Sequence, residues 1–299
     1  VEHLQNEETG PAFELEIANA IWGQQGAPFQ PIYLQTLASE YGAGLNTVDF
    51  SADPEAAREA INAWIAETTR QKIENMLAPG ALSSQTQLVL ANAIYFYGAW
   101  LNPFEENNTE EGAFTLLDGS TVTPLLMHNS TFRGPYMEGP GFRAVLLPYT
   151  GRKADLLLIL PDEPNFEAIQ EELSADFIQQ IMASTATYDV TLTLPKFDFD
   201  SEIDLAQALP QLGLSAPFQA GADFTGILQD GGLSIDAALH KATIAVDERG
   251  TEASAATVIE MEASEMPRAE FYATRPFIMA IIERETGAIL FLGHLLNPS

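Results

Sequence analysis

Residues 251–264, Thr-Glu-Ala-Ser-Ala-Ala-Thr-Val-Ile-Glu-Met-Glu-Ala-Ser, run without Gly, Pro or Asn between Gly250 and Pro267. Sorted by alternation, Thr251, Ala253, Ala255, Thr257, Ile259, Met261 and Ala263 make one uncharged face, small at its start. Glu252, Ser254, Ala256, Val258, Glu260, Glu262 and Ser264 make the other, mostly polar. That is the period of a half-buried strand. Extended at ~3.3 Å per residue the stretch would reach roughly 46 Å, far beyond a typical strand. A helix competes, because Ala, Glu and Met are strong helix formers, although Glu252, Glu260 and Glu262 would find no basic partner four residues on. Composition leaves the two readings level.

The rest of the 299-residue chain reads as one domain of mixed, mostly antiparallel α+β class. Phe13–Trp22 alternates like a central strand, and residues 28–43 fit a helix with proline near its start. Val48-Asp49-Phe50 suggests a short strand. Asp53-Pro54-Glu55 opens a helix with a capping residue and proline at the first position, and Ala57, Ile61, Trp64 and Ile65 form its apolar stripe. Leu88–Phe96 is a buried strand. Farther on, hairpins dominate: Asp118-Gly119 turns between Phe114–Leu117 and Thr121–Leu126, and Thr150–Lys153 between Arg143–Tyr149 and Ala154–Leu160. The Gly/Pro-rich patch from Gly134 to Gly141 reads as a loop. Residues 164–183 suggest one helix and 187–195 a strand, and Glu285-Thr286-Gly287 joins strands Phe277–Ile282 and Ala288–Leu292.

Forty-two acidic against 13 basic residues give a net charge of −29, and only Lys72, Lys153, Lys196 and Lys241 are lysine. A field of that sign repels nucleic acid and anionic membranes, so neither is expected as a partner. It serves solubility or salty surroundings, or steers the chain toward a basic protein. No apolar run approaches the ~20 residues of a membrane helix. Val1-Glu2-His3 opens the sequence without the basic and apolar regions of a signal peptide. With no cysteine, disulfides, thiolate catalysis and cysteine zinc sites are excluded. G-x-S-x-G, P-loop, full G-x-G-x-x-G and H-E-x-x-H motifs are all missing. His3, His128, His240 and His294 lack metal-ligand spacing. Asp198-Phe199-Asp200 puts two carboxylates on one strand face, which suits exposed polarity better than a cation. No enzyme, metal or cofactor reading gains support.

Three motifs in order carry a family resemblance. The first is Asn62 to Ile73 (Asn-Ala-Trp-Ile-Ala-Glu-Thr-Thr-Arg-Gln-Lys-Ile), then Met76 to Gly80 (Met-Leu-Ala-Pro-Gly), then Leu88 to Phe96 with Gly98 and Trp100. The second is His240 to Thr257, containing Glu248-Arg-Gly-Thr-Glu-Ala-Ser-Ala-Ala-Thr257. The third is Arg275-Pro-Phe277 with Thr286 to Gly293 and Asn297-Pro298. Over essentially its whole length the chain resembles the serpins. The resemblance implies the serpin fold, with large sheets, surrounding helices and a reactive-centre loop at about residues 248–270. It further implies a monomeric suicide substrate whose partner is a serine or cysteine protease. After cleavage the loop joins the large sheet as a strand, an established case of strand addition and of released strain.

On that resemblance Glu248, Gly250, Thr251, Glu252, Ala253, Ser254, Ala255, Ala256 and Thr257 form the hinge. Its small uncharged face could enter a sheet without burying a charge, which otherwise costs several kcal/mol. Counting from the hinge places the scissile bond at Ser264–Glu265, within one or two residues, so Met261 and Met266 stay open. A small residue there, after Ala263, suits elastase-like or subtilisin-like pockets. Trp100 and the Lys196–Glu248 pair match the place where the loop first enters, and Asn92 and His240 match a polar pair under the centre of the sheet. A packing tryptophan, a surface salt bridge and a satisfied core histidine are the plain alternatives. Val1–Pro11 corresponds to the end of a fourth helix, so the first quarter of the family's fold, with serines expected beside Asn92 and His240, lies outside this sequence. The acidic loop and that missing quarter support a second reading, a non-inhibitory binding, carrier or chaperone serpin. Sequons stand at Asn107 and Asn129, and family habit favours secretion.

Overall fold

The computed structural model describes residues 13–41, 44–219, 221–229, 231–251 and 266–299. In chain order its first elements are β1 (Phe13–Gln24), α1 (Pro31–Tyr41), β2 (Leu45–Val48), α2 (Pro54–Thr68), β3 (Leu88–Ala99) and β4 (Thr109–Glu111). Next come β5 (Phe114–Thr115), β6 (Thr121–Val122), β7 (Leu125–Gly139), β8 (Phe142–Pro148), β9 (Ala154–Pro161), α3 (Phe166–Glu172) and α4 (Ala175–Ser184). The last are β10 (Ala186–Pro195), β11 (Phe197–Asp204), α5 (Leu205–Gln211), β12 (Ala237–Val246), β13 (Gly250–Thr251), β14 (Arg268–Tyr272), β15 (Phe277–Glu283) and β16 (Ile289–Leu295). The chain forms two contact units, each interrupted in sequence. One is Leu15–Phe96 with Phe199–Ile244, and the other is Val1–Glu14, Tyr97–Asp198 and Ala245–Ser299.

In the first unit the sheet runs β11-β12-β3-β1-β2. Two of its pairs are parallel, β1 with β2 and β12 with β3. Helix α2 covers one face. Asp53 caps it, accepting from the Ala56 amide at 3.0 Å, with proline in the first turn. Its stripe of Ala57, Ile61 and Ile65 packs on small strand residues, Ala18 and Ala20 of β1 and Ala91 and Ala93 of β3. Alanines on the strands let the helix backbone come close, while the isoleucines fill the space between. Burying each isoleucine stabilises by about 2–3 kcal/mol. Asn62 ties the helix to the segment beyond it, donating to Leu77 O and accepting from Leu77 N, both at 2.9 Å.

The second unit holds an eight-stranded sheet, β14-β10-β7-β8-β9-β15-β16, with β4 pairing β7. Among the described residues, only β10 with β14 of its pairs runs parallel. Strands β9 and β15 are buried at every position, which is why they read as unbroken apolar runs rather than alternating ones. Phe166 and Ile169 of α3 with Ile178 and Ile181 of α4 close one core of this unit over Leu157, Ile159, Ile278 and Ala280.

Four expectations change. The helix expected over 164–183 is two helices, because Ser174 caps a new one by accepting from the Phe177 amide at 3.2 Å. Gly134 and Pro135 lie inside β7, not in a loop. A Cβ on Gly134 would sit 2.3 Å from the Phe132 ring, so glycine there makes room for an aromatic neighbour within the strand. The short strand ends at Val48, because the Asp49 carboxylate turns back to accept from Ser51 Oγ and the Ala52 amide at 2.7 and 3.1 Å. Around Asp118-Gly119 the ladder shrinks to two residues on each side, closed by Leu116 N to Ser120 O at 2.8 Å. Among the described residues no helix is long and apolar enough to cross a membrane.

Asn62→Ala leaves the buried Leu77 amide and carbonyl without this partner. It is expected to cost about 2 kcal/mol of stability, read as a lowered urea midpoint at an unchanged slope.

Candidate functional site

Strand β3 changes partners along its length. From Val89 to Tyr95 it pairs in parallel with Ala237–Thr243 of β12. At its end, Gly98 and Ala99 pair antiparallel with Thr251 and Gly250 of β13. The chain leaves β12 at Val246, and Asp247 builds the intervening turn. Its carboxylate accepts from the Arg249 and Gly250 amides at 2.8 and 3.2 Å. Gly250 has φ +152°, and a Cβ on it would lie 2.1 Å from Gly98 O. Only glycine can bring the chain so close to β3 at that angle.

Trp100, 2% exposed, carries this turn on its edge. Its indole donates to Asp247 O at 3.0 Å and its amide to Arg249 O at 2.9 Å. Its ring stacks on Tyr149 with centroids 4.8 Å apart and planes inclined by 15°. Tyr149 and Thr251 are both fully buried, and their hydroxyls lie 2.8 Å apart. Burial pushes the Tyr149 phenol far up, more than its bond to Thr251 lowers it, so it stays neutral.

Buried Glu248 is held from two sides. Lys196 Nζ donates to Oε2 and Thr109 Oγ1 to Oε1, both at 2.8 Å. Burial by itself would raise this carboxyl, but the bonds from Lys196 and Thr109 outweigh it and hold it below the usual glutamate value. Arg249 reaches out to Glu106 at 2.7 Å on the exposed side of the turn.

In the other unit, Asn19 of β1, Asn92 of β3 and His240 of β12 form a polar line across the sheet, on the face opposite α2. Asn92 donates to Asn19 and its carbonyl oxygen faces His240 Nδ1, so that ring nitrogen carries the proton. Burial holds the His240 imidazole below the usual histidine value. Asp200 of the acidic pair on β11 is bound to Lys241 at 3.1 Å and Thr243 at 2.7 Å, so lysine takes the place a cation would have filled. Among the described residues no cluster of three His, Asp or Glu could hold a metal ion.

The family model described as serpin (serine protease inhibitor) matches residues 1–298. The chain belongs to the serpin family. It is 35% identical over 294 residues to an uncharacterised serpin-like protein of Thermococcus kodakarensis, covering 97% of this chain and 68% of that one. To the leukocyte elastase inhibitor of Bos taurus it is 36% identical over 298 residues, covering 97% and 79%. Among solved structures, uncleaved ovalbumin superposes with TM-score 0.85 at 25% identity, covering 97% of this chain and 76% of that one. Thyroxine-binding globulin in complex with thyroxine gives 0.84 at 28% identity, covering 96% and 76%. The mixed sheets and helices are thus those of the serpin fold.

Of the residues singled out in the serpin sequence, Trp100, Lys196, Glu248, Gly250 and Thr251 come together at the turn, and Asn92 and His240 meet as a pair. Glu252, Ala253, Ser254, Ala255, Ala256, Thr257 and the Ser264–Glu265 bond lie outside the described residues, as does Val1–Pro11. The sequence reading gives Asn19, Thr109, Asp247 and Tyr149 no role in a site. Tyr149 ends an apolar strand just before a turn, a place where an aromatic residue carries no signal of its own.

Because the unfolded chain takes a proton on His240 near pH ~6.5 and the folded one only lower, stability is present above that pH and lost as pH falls. His240→Gln is expected to flatten this slope, checked by thermal unfolding from about pH 7.5 down to about 5.5.

Proposed function

We propose that this serpin is a suicide-substrate inhibitor of serine proteases with elastase-like or subtilisin-like pockets, acting as a monomer and needing no cofactor. The observation that carries the reading is the change of partner along β3. The residue that begins the loop is small, uncharged and already paired with the end of a strand whose next partner down is β12. A loop continuing from Thr251 between β3 and β12 would replace the pairs from Thr243–Tyr95 to Ala237–Val89 with two new ladders. Its inward face would be Thr251, Ala253, Ala255 and Thr257, which bury no charge.

In the proposed reaction the protease's serine oxygen adds to the Ser264 carbonyl. The Ser264–Glu265 amide breaks, Glu265 leaves as the amine with the proton, and the loop stays joined to the protease as an ester. Insertion then competes with hydrolysis of that ester. If insertion is faster, the protease is carried off with the loop and trapped. The chain is a substrate consumed once rather than a catalyst. Similarity to the leukocyte elastase inhibitor supports the choice of protease.

Likeness to thyroxine-binding globulin in complex with thyroxine favours the second reading, a carrier without inhibitory action. Incubation with elastase and subtilisin separates the two. The inhibitory reading expects a detergent-stable complex and a released peptide starting at or near Glu265, whereas cleavage without a complex would favour the carrier. Thr251→Arg puts a charge into a fully buried position at a cost of several kcal/mol. It is expected to slow insertion and turn the inhibitor into a cleaved substrate, seen as loss of the complex with cleavage retained.

A further inference from the structure

We propose that Tyr149 is a positioning residue that seats Thr251 in the sheet before any protease acts, so that insertion starts from a fixed first residue. The part concerning insertion rests on the inhibitory reading above; the seat itself does not.

The backbone alone gives β13 little reason to stay in place. It is two residues long, and isolated short pairings are marginal in water. One of the two is glycine, which loses the most conformational freedom when fixed. A side-chain bond at its far end would make up part of that deficit. The 2.8 Å contact between the Tyr149 and Thr251 hydroxyls is placed to do this, because both residues are fully buried and water is kept from either group.

Tyr149 is held by parts of the molecule that precede the loop. It follows the last residue of β8, its amide donates to Ala154 O at 3.1 Å, and its ring lies against Trp100. Trp100 in turn grips the turn through Asp247 O and Arg249 O. The phenol oxygen therefore stands at a set height over the end of β3, and the hydroxyl of residue 251 must come to it. Serine or threonine at 251 can make the bond; valine has the shape without the hydroxyl. The seat thus reads the chemistry of residue 251 as well as its size, a requirement distinct from the need for a small uncharged face.

Two readouts test this on the full chain. The first is amide exchange by mass spectrometry in fragments covering 247–251, which needs no protease. Tyr149→Phe and Thr251→Val are each expected to speed exchange there by roughly tenfold, the worth of one buried hydrogen bond. The double variant should be no faster than either single one, and Thr251→Ser should stay close to the parent protein. Unchanged exchange in Tyr149→Phe, or additive effects in the double variant, would overturn the proposal, since general loosening of the core would add. Thr251→Val tests the same bond from the other side if Tyr149→Phe fails to fold. The second readout is the stoichiometry of inhibition of subtilisin, expected to rise roughly twofold or more in Tyr149→Phe while the unfolding midpoint moves little. An unchanged stoichiometry with faster exchange would overturn the link to insertion. If the parent protein forms no covalent complex at all, the inhibitory reading falls, and the exchange experiment still decides the seat.

Discussion

Strand β3 is longer than the pairing β12 gives it, and the pairing of Gly250 and Thr251 depends on that surplus. The last pair with β12 is Thr243 with Tyr95, yet β3 runs on to Ala99. Beyond that pair, Gly98 and Ala99 take the chain's own next segment as partner, turned back by Asp247 and passed close over Gly98 at Gly250. In the proposed insertion the loop would continue from Thr251 along the same strand toward Tyr95.

What holds the turn is a division of labour between charge and shape. Glu248 is bound by Lys196 and Thr109, and its contribution is present above the ordinary glutamate value and lost as pH falls through its own lower one. With Lys196 about a third exposed, the pair contributes about 1–2 kcal/mol rather than the larger worth of a dry ion pair. Trp100 and Tyr149 give shape: a stacked pair that does not titrate near neutrality and so holds the turn at any ordinary pH. The polar line of Asn19, Asn92 and His240 in the other unit joins three strands by side chains. Such bonds can be exchanged for others at little net cost, whereas an apolar contact there would have to be opened outright.

Residues 251–264 stand out in the sequence because their composition is unusual: fourteen residues that alternate without a breaker, small on one face. Capping signals made the start of α2 legible to the residue. The break between α3 and α4 was equally written, in Ser174 followed by Asp176, but a run of helix formers on both sides concealed it. Gly134 and Pro135 in β7 misled because turn chemistry is judged locally, while their role is to admit the Phe132 ring and to pair with the neighbouring strand. Asn19, Thr109 and Tyr149 were out of reach for a different reason. Each acts on a partner 73, 139 or 102 residues away, and nothing local marks the pairing.

The central claim is that the sheet has a more stable arrangement waiting for the cleaved loop. Thermal unfolding of the intact chain against the same chain cut in the loop tests it without any assumption about the target protease. The account expects the cut form to unfold at a sharply higher temperature, because the freed loop completes the sheet between β3 and β12. An unfolding temperature unchanged or lowered by the cut would contradict it.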